Sequence, residues 1–127
     1  MKKGFTLIEL LTVVSIIGIL LAALLPSLTS SKAKSRDSVR LGDLKSLSSA
    51  AENFFQDGGY KNFPTALSDM NSYFTNSAVP VDPRGSPYLY AQIASPKGYC
   101  LGTNMEVITQ AVHPCTIAGA NYTVIGP

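Results

Sequence analysis

Between Phe5 and Leu25 the chain carries a single charge, Glu9. Wound as an α-helix rising about 1.5 Å per residue, this run is roughly 31 Å long, the thickness of a bilayer core. It can therefore span a membrane. Glu9 is out of place in a simple anchor, because a charge inside hydrocarbon costs on the order of 3 kcal/mol even on lenient scales and normally faces a partner or a water path. Along the helix the only positive groups nearby are at its start: Lys3, or a new amine made by cutting the chain. Glu9 sits about one helical turn from Phe5. An amine on Phe5 of a neighbouring, slightly staggered chain would meet Glu9 and neutralise both charges on assembly.

The residues Lys2-Lys3-Gly4-Phe5-Thr6-Leu7-Ile8-Glu9-Leu10-Leu11 resemble the class III signal of type IV prepilins and type II secretion pseudopilins: a short basic leader, glycine, phenylalanine and a glutamate four positions on. The resemblance implies cleavage between Gly4 and Phe5 by a prepilin peptidase, N-methylation of Phe5, and a role for Glu9 in docking the subunit into a helical filament. It also implies the partners: copies of the chain and other pilins, the peptidase, and an inner-membrane assembly platform with its ATPase machinery. The expected location is the cytoplasmic membrane before assembly, then a surface pilus or periplasmic pseudopilus. Two plainer readings compete. An ordinary secretory signal peptide has a shorter apolar core and a small-residue cleavage site; Ala22-Ala23 offers one, yet the run continues through Leu24-Leu25. A plain signal anchor leaves Glu9 unexplained.

Within the run, Thr6, Glu9, Thr12, Ser15 and Gly18 recur every third residue, and Gly18 with Ala22 forms a small-xxx-small pair suited to close helix contacts. The competing reading is that Thr and Ser bond their own backbone. Pro26 lacks the N–H of an interior helical residue, so a kink or break is expected there. The family resemblance implies that Gly18 to Pro26 unwinds in the fibre; the alternative is a continuous, bent helix.

The 127 residues allow one small domain beyond this span. Ten basic residues face eight acidic ones, and two of the ten are Lys2 and Lys3, so the chain from Phe5 onward is neutral. Nothing in that balance indicates a nucleic-acid partner. Lys32, Lys34, Arg36 and Arg40 follow the run, partly offset by Asp37 and Asp43, and read as a solvated or headgroup-contacting helix face rather than a nucleic-acid stripe.

From Lys32 to Phe55 the apolar positions Leu44, Leu47, Ala51 and Phe54 recur at three and four, with Leu41 and Ala50 beside them, and Asp57-Gly58-Gly59 stops the helix. Residues 58–87 read as a proline-punctuated connection with a short helix near Thr65 to Tyr73 and a turn at Asp82-Pro83-Arg84-Gly85. Strands are expected at Tyr88 to Ala94, Tyr99 to Thr103, Glu106 to Val112 and Asn121 to Ile125, with a turn at Ser95 to Gly98. The fold class is therefore α+β: a long N-terminal helix, membrane-spanning in its first half, packed in its second half against a small antiparallel sheet. The resemblance implies that this arrangement is pilin-like. The expected divisions are a leader at 1–4, the apolar helix at 5–28, and a head at 29–127 with helix 32–57, loop 58–87 and sheet 88–127.

Cys100 and Cys115 are the only cysteines, and in an exported domain such a pair usually closes a disulfide, worth roughly 3 kcal/mol for a loop of this size. Metal binding by Cys100, His113 and Cys115 is the minor alternative, since three ligands at this spacing match no known site. The stretch from Val81 to Tyr90 also resembles the loop before the sheet in major pseudopilins. There the resemblance implies acidic calcium-binding loops, but after Asp82 the only acid is Glu106, which argues against a calcium site. No catalytic constellation or cofactor motif is present in the sequence. Asn121-Tyr122-Thr123 fits a glycosylation sequon of low specificity. The leading reading is a structural subunit of a type IV pilus-like filament, not an enzyme. The runner-up is a type II secretion pseudopilin, and a monomeric membrane-tethered binding module is the alternative of another class.

Overall fold

The computed structural model of the chain describes residues 4–58, 62–94, 97–108, 115 and 117–127. Its elements are α1 (Leu7–Asp57), a 3-10 helix (Leu67–Tyr73), β1 (Leu89–Ile93), β2 (Gly98–Thr103) and β3 (Tyr122–Ile125). The chain divides into two compact units, Met1–Ala33 and Lys34–Pro127. That boundary falls a few residues beyond the expected one at 28/29.

In the first unit every large apolar side chain from Phe5 to Leu28 is at least 47% exposed. By length and composition this stretch of α1 can cross a membrane. The backbone is helical through Gly18 and Pro26, so the continuous-helix alternative describes the chain on its own. Proline leaves the Ala22 carbonyl without its usual N–H donor. Just beyond, Thr29 donates to the Pro26 carbonyl at 2.9 Å, while Ser30 and Ser31 donate to that of Ser27 at 3.0 and 2.8 Å. Thr12 and Ser15 likewise bond the carbonyls of Ile8 and Leu11 at 3.0 and 2.7 Å. The polar three-residue repeat is thus locally satisfied at those two positions.

In the second unit the stripe Leu44, Leu47, Ala50 and Ala51 is buried against Phe63, Met70, Tyr88, Tyr99, Leu101 and Met105. Each large side chain so buried contributes about 1.5–3 kcal/mol. Phe54 is only half-buried, and Leu41, at the flank of the stripe, is exposed. The sheet is antiparallel in the order β1-β2-β3, with Tyr90 paired to Leu101 and Cys100 to Ile125. All six residues of the central strand β2 are buried. Phe63 stacks on Phe55 at 4.5 Å between ring centroids and meets Tyr99 edge-on at 5.1 Å, tying the connection to both helix and sheet. Tyr99 also reaches α1: its hydroxyl lies 2.6 Å from that of Ser48. The chain at Gly126 crosses the same ring so closely that a Cβ there would stand 2.1 Å from it, which only glycine permits.

The helix near Thr65 to Tyr73 is a 3-10 helix, its start held by Asp69, which accepts from the Thr65 and Ala66 backbone at 2.9 and 3.0 Å. The turn at 82–85 closes as its residues require: Gly85 has φ +84° and donates to the Asp82 carbonyl at 2.7 Å. The strand expected at Glu106 to Val112 is not formed over Glu106–Ile108, and residues 109–112 lie outside the described residues, as do Gly59 and the Ser95-Pro96 part of the expected turn. The N–H groups of Glu106, Val107 and Ile108 are turned onto a side chain of α1 instead of a neighbouring strand.

Candidate functional site

Gly4 and Phe5 precede the helix, and both are exposed. The Glu9 carboxylate accepts from the Thr6 backbone N–H at 2.9 Å and its hydroxyl at 2.7 Å, while the Glu9 N–H donates to the Thr6 hydroxyl at 3.3 Å. This is a capping box: two of the orphan N–H groups at the helix start are satisfied reciprocally. Glu9 is thus already engaged within its own chain, one turn from Phe5, on an exposed surface. The Thr-x-x-Glu spacing signals this in the sequence, although the run of hydrocarbon around it draws attention to its charge alone. At Gly18 nothing stands within 4 Å of where a Cβ would be.

The second constellation is in the head and reverses an expectation. Arg36 and Arg40 do not belong to a solvated face. Arg40 is 2% exposed and Asp37 fully buried. Arg40 donates to Asp37 at 2.7 Å, to Glu106 at 2.9 Å and through two nitrogens to Asp82. Arg36 grips both oxygens of Glu106 at 2.7 and 2.6 Å, and Arg84 adds a bond to it at 2.7 Å. Asp37 in turn accepts the backbone N–H groups of Glu106, Val107 and Ile108 at 2.9, 2.8 and 3.1 Å. Of the four basic residues Lys32, Lys34, Arg36 and Arg40, Lys32 and Lys34 are the two that stay exposed.

These contacts set the protonation states. Burial alone would push the Asp37 carboxyl up, but the three backbone donors and Arg40 outweigh it and hold the group down at about 2. The Arg36 bonds, opposed by desolvation and aided by Arg40, bring Glu106 down to about 2. Arg40 lowers Asp82 in the same way, and Asp82 raises Arg40. The cluster is charged on both sides throughout the physiological range.

Cys100 and Cys115 form a disulfide across 15 residues, so neither sulfur is a free thiolate for metal. His113 lies outside the described residues. Among the described residues no group of His, Cys, Asp or Glu is placed to hold a metal ion. The Asn121 amide pairs with the Met105 backbone, accepting at 2.6 Å and donating at 2.8 Å, which commits the nitrogen a glycan would need. No signal other than its side-chain chemistry marks this role in the sequence.

Residues 1–25 match the Prokaryotic N-terminal methylation motif. The chain is 35% identical over 118 residues to the type IV major pilin protein PilA of Myxococcus xanthus, across 93% of this chain and 46% of that protein. It is 31% identical over 103 residues to the type II secretion system core protein G of Pseudomonas aeruginosa, across 70% of this chain and 72% of that protein. With the Aeromonas hydrophila core protein G it shares 30% over 109 residues, across 75% of this chain and 74% of that protein. The chain thus spans about half the length of the pilin and nearly three quarters of these two core proteins. No solved structure gives a significant match.

Proposed function

This chain belongs to the type IV pilin and type II secretion pseudopilin family, and on that premise we propose that it is a structural subunit of a type IV pilus-like filament. In this reading a prepilin peptidase cuts between Gly4 and Phe5, Phe5 is N-methylated, and the chain waits in the cytoplasmic membrane on residues 5–28. The head, residues 29–127, stays outside. An assembly platform and its ATPase then draw the subunit into the fibre beside copies of itself and other pilins. The chain performs no catalysis of its own.

One observation carries the reading: from Phe5 to Leu28 the large apolar side chains are all exposed, with Glu9 as the single acid at the start of that surface. Such a surface is covered first by lipid and then by neighbouring helices. On assembly the Phe5 amine of the next subunit joins the Glu9 carboxylate, which Thr6 already orients. The stretch from Gly18 to Pro26 is the cheapest part of this helix to open, because glycine disfavours the helical state and proline has already removed one of its hydrogen bonds. Opening it would let the fibre stretch.

The Cys100–Cys115 bond and the match to PilA along 93% of this chain favour a pilus. A specific second observation favours a pseudopilus: the core protein G relatives are matched over a larger share of their own length, 72% in Pseudomonas aeruginosa. Negative-stain imaging of cells making the wild-type chain, Glu9→Ala or Glu9→Leu tests the filament reading. Fibres should appear with the wild type and be absent with both variants, which still accumulate in the membrane. Fibres built normally from Glu9→Leu would remove Glu9 from the assembly contact, and the absence of fibres even with the wild type would leave the tethered monomeric module as the better reading. Deleting the gene and comparing surface fibres with enzyme export separates pilus from pseudopilus.

A further inference from the structure

For major pseudopilins the family resemblance implies a calcium ion held by acidic loops in the sheet region. The described residues do not fit one. Three carboxylates from three separated stretches, Asp37, Asp82 and Glu106, do converge, but the Arg40 guanidinium lies among them and donates to all three. The remaining acceptor positions are also taken. Glu106 is held by Arg36 and Arg84, and Asp37 by three backbone N–H groups. Three guanidinium groups balance three carboxylates, so an arriving divalent cation would find no unneutralised acid and would have to displace an arginine.

We propose that Arg40 is a built-in cation in the structural role of a bound divalent metal: it gathers the 82–86 loop and the 104–108 segment onto α1, and the head closes without metal. The chemistry suits the part. A guanidinium presents five donors in a rigid fork and stays charged at any physiological pH, so it can serve several carboxylates at once. A metal stabilises a fold by an amount that depends on its free concentration, whereas a covalently attached cation is always present. The inference stands on the head alone and does not depend on whether the chain builds a fibre.

The test is thermal unfolding of the full-length chain in detergent, followed through the near-ultraviolet dichroism of the head's tyrosines. For the wild type the midpoint should agree within about 1 °C in excess EDTA and in excess calcium, since no metal is linked to folding. Arg40→Gln keeps a polar side chain of the same aliphatic start but removes the charge; its midpoint should fall by more than about 10 °C, and calcium should recover a substantial part of that loss by taking the freed carboxylates. A wild-type midpoint that drops in EDTA overturns the proposal, as does an Arg40→Gln protein as stable as the wild type. If Arg40→Gln is unfolded, calcium should restore its folding; failure to respond to calcium defeats the claim that Arg40 acts in a metal's stead. Arg84→Gln, at the exposed end of the cluster, should lose less than about 3 °C and remain insensitive to metal.

Discussion

The two units of this chain solve opposite problems with the same helix. Before Ala33, α1 satisfies its own backbone apart from the Ala22 carbonyl and leaves nearly all its side-chain surface for other molecules to cover. After Lys34 it satisfies everything inside one chain: Leu44 and Leu47 disappear under the sheet, and a buried arginine is fully bonded to acids from distant stretches. From Phe5 to Leu28 the first unit presents mostly hydrocarbon and a single charge, Glu9. The second presents a closed, charge-balanced head. A division of labour follows from the physics: changes in the first unit should alter insertion and assembly, and changes in the second should alter folding.

Crossed experiments can break that division. The largest effect on folding is expected from Arg40→Ala, which leaves Asp37 and Asp82 as uncompensated buried charges and should cost about 3–5 kcal/mol of head stability by denaturant unfolding, without altering membrane association. Leu47→Ala is of similar size, about 2–5 kcal/mol, through the cavity it opens under the sheet. Reducing Cys100–Cys115, or replacing both by serine, should remove roughly 3 kcal/mol. Acid should weaken the head. Asp37 and Glu106 ionise at lower pH in the folded chain than in the unfolded one, so their stabilisation is present above about pH 4.5 and is lost as the pH falls towards 2. The share due to Asp37 is on the order of 2 kcal/mol.

Smaller effects belong to the first unit and sharpen the contrast. Thr6→Ala removes the cap and should loosen the first turn by about 1 kcal/mol, seen as faster amide exchange near Glu9 with the head unchanged. Leu20→Ala, far from any packed neighbour, should leave head unfolding within about 0.5 kcal/mol of the wild type. A large loss there would mean that the two units fold as one.

Much of this was readable from residue order, for reasons that differ by region. A membrane-length apolar run, a three-and-four stripe at Leu44, Leu47 and Ala51, and an Asp-Pro-Arg-Gly turn are local patterns, so neighbouring residues suffice to identify them. The cysteine pair had one partner for each thiol. The Arg40 cluster was hidden because two of its three acids sit 42 and 66 positions away, and a basic residue on an otherwise polar helix face looks solvated until the chain folds over it. The same blindness produced the missing strand: Glu106, Val107 and Ile108 have strand-like composition, but Asp37 takes their N–H groups. Pro26 predicts disruption by its chemistry, yet a helix continues through it when the preceding carbonyl alone loses a partner.

The most direct measurement is the intact mass and N-terminal fragment spectrum of the chain isolated from its native cells. Assembly through Glu9 and a neighbour's amine requires a polypeptide that begins at Phe5, and N-methylation would add one methyl group there. A native chain that still begins at Met1, with Gly4 joined to Phe5, would contradict it.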